Sequence, residues 1–219
     1  MPDLIETHPI PEGYIPLNTK VLVIGTFPPK NEYISKGKDF FFYSSEKNHF
    51  WNRIDNIFLE KPGFKKTKNK NSNESHTSNK KRKEAFAREN KLGFLDIFTK
   101  ITRKNDSTND EDIIPIENII ENKKLLNIIN SNSELKRICC TYKLAFDTLK
   151  YSMNLISNKF EVLEDEFTSN NEKIKAEING KYIEIVLLYP ATRSSQKGIL
   201  KDTQYKNFLF DLTDNRINL

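Results

Sequence analysis

Three short apolar runs limit what this chain can fold into: residues 20–25 (KVLVIG), 137–142 (RICCTY) and the second half of 182–188 (YIEIVLL). A strand wet on one face alternates apolar and polar residues, whereas an unbroken apolar run is buried on both faces. Segments with helical spacing lie between these runs. The spacing predicts helices over about 48–59, with Phe50, Trp51, Ile54, Ile57 and Phe58 on one face, over about 80–91, and over 143–157. Strands alternating with helices point to an α/β class: a three-layer domain whose central, mainly parallel sheet is flanked by helices.

The remaining segments are read from their punctuation. Pro28 and Pro29 end the first strand and open a loop over 30–47 that is rich in aromatics. Residues 93–99 form a short apolar segment, and 103–112 a polar loop. Pro115 opens a helix reaching Asn130. Asn179–Gly180 is a hairpin turn, because both positions tolerate positive φ. A last helix covers about 203–213. No internal repeat is visible.

At 219 residues the chain is expected to be a single domain, large enough to bury about 70% of its unfolded surface without a staple. No run reaches the roughly 18 apolar residues of a membrane span, and the acidic, proline-containing start does not read as a signal peptide. Cys139 and Cys140 are adjacent, which argues against a mutual disulfide and offers no metal-ligand spacing. The three histidines, His8, His49 and His76, are not spaced as ligands either. The expectation is a reduced, cytoplasmic monomer with no metal, no cofactor and no membrane attachment. No glycine-rich phosphate loop supports nucleotide hydrolysis.

The net charge of +5 is concentrated. Residues 61–83 hold nine lysines or arginines against one glutamate, and the rest of the chain carries 26 basic and 29 acidic residues. That segment reads as a mobile basic insertion: a solvated loop first, a phosphate-seeking arm second.

In open α/β sheets, ligands bind beyond the carboxyl ends of the strands. Two strand ends here are unusual: Gly25, Thr26, Phe27, Pro28 and Pro29 after the first, and Pro190, Ala191, Thr192, Arg193 and Ser194 after the last. Between them come Phe42 and Tyr43, then Asn48, Phe50 and Trp51 opening a helix, and Asp96, Arg103 and Ser107 in a middle block. In this order, over about residues 20–195, the set resembles the uracil-DNA glycosylase superfamily. Within it the closest likeness is the hypoxanthine- or deoxyinosine-DNA glycosylase branch. The sequence departs from that pattern at Pro29, at Ser45–Glu46 and at Ala191.

The resemblance implies a monofunctional DNA glycosylase that flips a deaminated base, hypoxanthine or uracil, and hydrolyses its N-glycosidic bond in base excision repair. It implies Asn48 as the catalytic candidate. Sequence chemistry alone reads Asn48 equally as a helix cap, and the two roles are compatible. Gly25, Thr26, Phe27, Phe42 and Tyr43 are the candidate base pocket, although each aromatic could equally belong to the core. Thr192, Arg193, Ser194, Ser195 and Lys197 are the candidate DNA-binding loop, with Arg193 placed to enter the gap a flipped base leaves. His49 ranks second to Asn48 as an acid–base group, and His8 and His76 fall in segments read as mobile and get no role. Asp96 reads first as a buried, paired carboxylate and second as a polar group of the pocket. Two other classes stay open: a non-catalytic nucleic-acid-binding module, and an enzyme on a small nucleoside-like ligand. Both DNA-binding readings carry a steep loss of affinity with salt. Deletion of the basic insertion is expected to weaken DNA affinity, in a binding titration, without abolishing cleavage.

Overall fold

Each apolar run becomes a strand whose two faces enter two different cores. The computed structural model describes residues 5–44, 48–58, 63–64, 76–104, 110–120, 123–191 and 198–211. Its elements are β1 (Glu6–Thr7), β2 (Val21–Gly25), α1 (Lys30–Lys36), α2 (Phe50–Ile57), α3 (His76–Glu89), β3 (Leu92–Asp96), β4 (Phe98–Arg103) and β5 (Ile113–Asn118). They continue with α4 (Lys124–Ser131), β6 (Arg137–Cys140), α5 (Lys143–Ile156), β7 (Lys159–Glu164), β8 (Glu172–Ile178), β9 (Lys181–Leu187) and α6 (Gly198–Leu209). A six-stranded sheet runs β3-β2-β6-β9-β8-β7, and a three-stranded sheet runs β1-β4-β5. In the large sheet β3, β2, β6 and β9 are parallel, while β8 and β7 add an antiparallel edge.

Side chains alternate across a strand, and the packing follows that period. Leu22, Ile24, Ile138, Cys140, Ile185 and Leu187 join the core made with α4, α5 and the small sheet. Val21, Val23, Phe94, Cys139, Val186 and Leu188 join the other, made with α2, α3 and α6. The expected three-layer α/β architecture is therefore the observed one. The Asn179–Gly180 turn also forms, with φ of 52° and 77°. Burial pushes the Cys139 thiol up to about 12, so both buried cysteines stay as neutral thiols.

Several expectations are corrected. The 30–47 loop contains α1, because Pro29 stands at its N-cap, where a missing N–H costs nothing. The helix expected from Pro115 is the strand β5. A proline is tolerated there because β5 is the outer strand of the small sheet, and the helix begins only at Lys124, after Lys123 turns left-handed. β7 carries no clean alternation and sequence reading passed over it. Of the basic insertion, residues 76–83 are helical and Phe64 is buried against Trp51. Most of 61–75 lies outside the described residues. The deletion test is therefore properly confined to 65–75.

The N-terminal segment is also a correction, because it is packed rather than idle. Glu6 is buried, with Oε1 accepting from Arg103 Nε at 3.1 Å and Oε2 from the Tyr33 hydroxyl at 2.8 Å. Burial, then the bond to Glu6, raises the Tyr33 pKa and keeps that hydroxyl a donor. Arg103 Nη2 donates to Pro28 O at 3.0 Å, and its guanidinium lies over the Phe27 ring. Cutting one partner of a buried pair strands the other charge, at a cost of about 3–5 kcal/mol. Glu6→Ala is therefore expected to lower unfolding free energy by about 3 kcal/mol in urea titration. Asp147→Ala, which cuts the exposed Lys143–Asp147 pair, is expected to leave the midpoint almost unmoved.

Candidate functional site at the carboxyl edge of the sheet

Parallel strands bring their carboxyl ends to one edge, and register decides which residues meet there. Gly25 pairs with Asp96, and Ile24 with Cys140, so Gly25, Asp96 and Thr141 end up side by side. Thr141 N donates to Ile24 O at 3.0 Å, which continues the ladder one residue beyond β6. The 26–29 turn is pinned from the opposite side. Ile97 N donates to Gly25 O at 2.9 Å, and Phe98 N to Thr26 O at 3.2 Å.

Gly25 is a glycine because of its neighbours. A Cβ there would lie 2.4 Å from Asp96 Oδ1 and 3.0 Å from the Tyr43 hydroxyl oxygen. Asp96 cannot easily retreat, since its Oδ2 accepts from His8 Nε2 at 2.9 Å and the side chains are 8% and 1% exposed. Its expected paired role is thus met, and by a residue to which sequence reading gave none. His8 is buried at the centre of an aromatic group, stacked on Phe42 and edge-on to Phe27. The only signal for it was a histidine two residues after Glu6 in an extended, proline-flanked segment.

The three candidate aromatics do not share one role. Phe42 has His8 stacked on it at 5.7 Å and Phe94 at 6.1 Å, so it lines the core rather than a pocket wall. Phe27 is buried, with Arg103 over its ring. Tyr43 is half-buried in a left-handed turn (φ 56°), stacked on Phe50 at 4.6 Å. Its hydroxyl lies 3.1 Å from Thr141 Oγ1. Thr141 Oγ1 donates to Ile24 O, so the tyrosine is the donor in that bond. Burial, then the nearby Asp96 charge, holds the Tyr43 pKa well above its usual value. Thr26 is buried at the turn.

Asn48 stands beside this row, fixed at both ends of its amide. Oδ1 accepts from Phe50 N at 2.9 Å, and Nδ2 donates to the Tyr142 hydroxyl at 3.2 Å. It serves the first N–H of α2 from one residue ahead of the N-cap, His49, so the capping role is present in modified form. His49 itself bonds Asn52 through Nδ1 at 2.8 Å. Thr141 and Tyr142 were not singled out from sequence, where they read as the last two residues of the buried run 137–142, whereas β6 ends at Cys140 and leaves both at the carboxyl edge.

Residues 192–197, and with them Thr192, Arg193, Ser194, Ser195 and Lys197, lie outside the described residues, as does Ser107. Both flanks of 192–197 are tied to the start of α2. His49 N donates to Ala191 O at 3.0 Å, and Arg53 Nη1 donates to Gly198 O at 3.4 Å and to Asp202 Oδ1 at 3.1 Å. No cluster of three or more His, Cys, Asp or Glu suited to a metal occurs among the described residues, and none of their helices is long and apolar enough to cross a membrane.

This crowding makes Gly25→Ala a sharp probe. The new methyl must displace the Asp96 carboxylate or the Tyr43 hydroxyl, so a loss of about 1–3 kcal/mol is expected, read by thermal and urea unfolding. Gly37→Ala is the contrast, because a Cβ there meets nothing within 4 Å and only its positive φ is strained.

No protein-family model matches the sequence, and no curated protein matches it. Among solved structures, the fold is similar to the solution NMR structure of a provisionally assigned uracil DNA glycosylase from Methanosarcina acetivorans. The TM-score is 0.51 at 15% identity, over 94% of this chain and 99% of that one. At that identity the likeness is one of fold, and the chain accordingly has a uracil-DNA-glycosylase-like α/β fold.

Proposed function

We propose that the protein is a monofunctional DNA glycosylase acting on a deaminated base, uracil or hypoxanthine, in the manner of the hypoxanthine-DNA glycosylase branch. The observation that carries this reading is Asn48. Its amide is held at both ends beside the carboxyl edge of the parallel strands, where ligands of such sheets bind. Each end still has hydrogen-bonding capacity among the described residues: a second lone pair on Oδ1 and a second hydrogen on Nδ2. Oδ1 can orient a water toward C1′, or the amide can hold the base edge.

In this reading the base leaves the stack and enters the site between Gly25, Tyr43 and Asn48. The C1′–N bond breaks with its electron pair going to the base, and the sugar gains oxocarbenium character. The oriented water then adds its oxygen to C1′ and releases a proton, so the products are an abasic site and the free, protonated base. Thr192, Arg193, Ser194, Ser195 and Lys197 would grip the strand, with Arg193 entering the vacated gap; the bonds of Ala191 to His49 and of Gly198 to Arg53 support this reading. No metal or redox group takes part in these steps. The fold similarity supports a DNA partner.

The test is a gel assay on oligonucleotides carrying one uracil, hypoxanthine, xanthine or mismatched base, with alkali revealing abasic sites. Excision of at least one deaminated base by the wild type is expected. In Asn48→Ala it should fall about 100-fold or more, the usual effect of losing a positioned polar group. Folded protein that cleaves none of the substrates would sink the reading. Undiminished cleavage by Asn48→Ala would keep a glycosylase and remove Asn48 from its chemistry.

A further inference from the structure

We propose that Tyr142 is a positioning residue whose hydroxyl fixes the plane of the Asn48 amide. This rests on the reading of Asn48 as the group that orients the water or the base, and it adds what holds that group in line. An asparagine amide bonded at one end can still swing, because χ1 and the broad χ2 both turn. A second bond at the opposite end removes that freedom. Here Phe50 N donates to Oδ1 at 2.9 Å, and Nδ2 donates to the Tyr142 hydroxyl at 3.2 Å. The Phe50 N–H also settles which end of the amide is the oxygen, since a backbone N–H can only donate. The second lone pair of Oδ1 and the second hydrogen of Nδ2 are thereby aimed in set directions.

Both anchors are firmly mounted. Phe50 is the first residue of α2, and its side chain is buried. Tyr142 follows the end of β6 and is the N-cap of α5, with its backbone extended at φ −136° and ψ 144°. Just before it, Thr141 N donates to Ile24 O at 3.0 Å, and the Tyr142 carbonyl accepts from Phe146 N at 3.1 Å. The backbone beside Asn48 is held as well, since His49 N donates to Ala191 O at 3.0 Å.

Asn48 is therefore tied to two neighbouring strands of the sheet: its side chain to the end of β6, and the next peptide to the segment that follows β9. A bond to Phe50 alone would refer the amide to α2. The bond to Tyr142 refers it to the carboxyl edge, where ligands of such sheets bind. Tyr142 is 36% exposed, so its hydroxyl is not there to complete a core. Loss of an exposed group leaves stability nearly unchanged, and the effect of this bond falls on orientation.

The test separates orientation from folding and from DNA affinity. Tyr142→Phe removes the hydroxyl alone. In single-turnover excision of an oligonucleotide with one uracil or one hypoxanthine, its maximal rate should fall about tenfold, the worth of one hydrogen bond. The half-saturating enzyme concentration should stay within about twofold, as when an interaction is lost from the transition state alone. In the Asn48→Ala, Tyr142→Phe double variant the rate should be no lower than in Asn48→Ala, whereas independent residues would multiply their losses. A second readout needs no excision. The Asn48 side-chain amide is identified in NMR by the signal missing from Asn48→Ala. Its order parameter should be about 0.85 in the wild type and below about 0.6 in Tyr142→Phe. Should Tyr142→Phe fail to fold, as read by circular dichroism, the wild-type order parameter decides.

The proposal is overturned by a wild-type order parameter below about 0.6, by the same value in wild type and folded variant, by an unchanged maximal rate, or by losses that multiply. A merely structural Tyr142 would instead lower the thermal midpoint and leave the rate of the folded protein as it was. Absence of excision in the wild type, with an amide rigid only while the Tyr142 hydroxyl is present, would remove the glycosylase reading and keep Tyr142 as the group that fixes Asn48. Excision at an unchanged rate in Tyr142→Phe would do the reverse.

Discussion

The buried contact between His8 and Asp96 is the constraint on which the carboxyl edge depends. It joins an N-terminal segment to the end of β3 across 88 residues of sequence, at 2.9 Å and almost out of solvent. Burying two polar groups is costly unless each is satisfied. Here both nitrogens of the imidazole are used, one by Ile10 N and one by the carboxylate. With Asp96 so fixed, position 25 has no room for a Cβ, and the residue at the end of β2 must be glycine.

A second buried pair works on the same turn from the other side. Glu6, one strand position from Thr7, holds Arg103, and Arg103 holds Pro28 O and covers Phe27. The N-terminal segment thus straps both the strand end and the turn that follows it. Buried pairs of this kind are poor sources of net stability, because desolvation offsets most of the attraction. Their contribution is conformational: each alternative placement of the 26–29 turn would leave a charge unpaired in the interior.

Much of this was legible in local pattern. The buried strands, α2, α5 and the Asn179–Gly180 turn each follow from an apolar period or a backbone requirement confined to a few residues. Asn48 was legible as well, through its place ahead of an amphipathic helix. The misreadings share a cause. Pro115 and Ile116 fit the start of a helical phase that continues at Ile119 and Ile120, yet residues 113–118 pair with β4, and a neighbouring strand leaves no trace in local sequence. Phe42 and Phe27 look alike as candidates for stacking on a base, but which ring faces are already covered depends on His8, Phe94 and Arg103, all distant in sequence.

The sequence by itself determined a layered α/β chain and pointed to candidate site residues at the ends of its first and last buried strands, because a strand's burial and its terminus are written in consecutive residues. Only the tertiary structure decided which of those residues face one another. Strand register set Gly25 against Asp96 and brought Thr141 alongside, and long-range packing turned His8 from a residue of the N-terminal segment into the buried partner of Asp96. Those are relations between segments, and local periodicity carries no information about them.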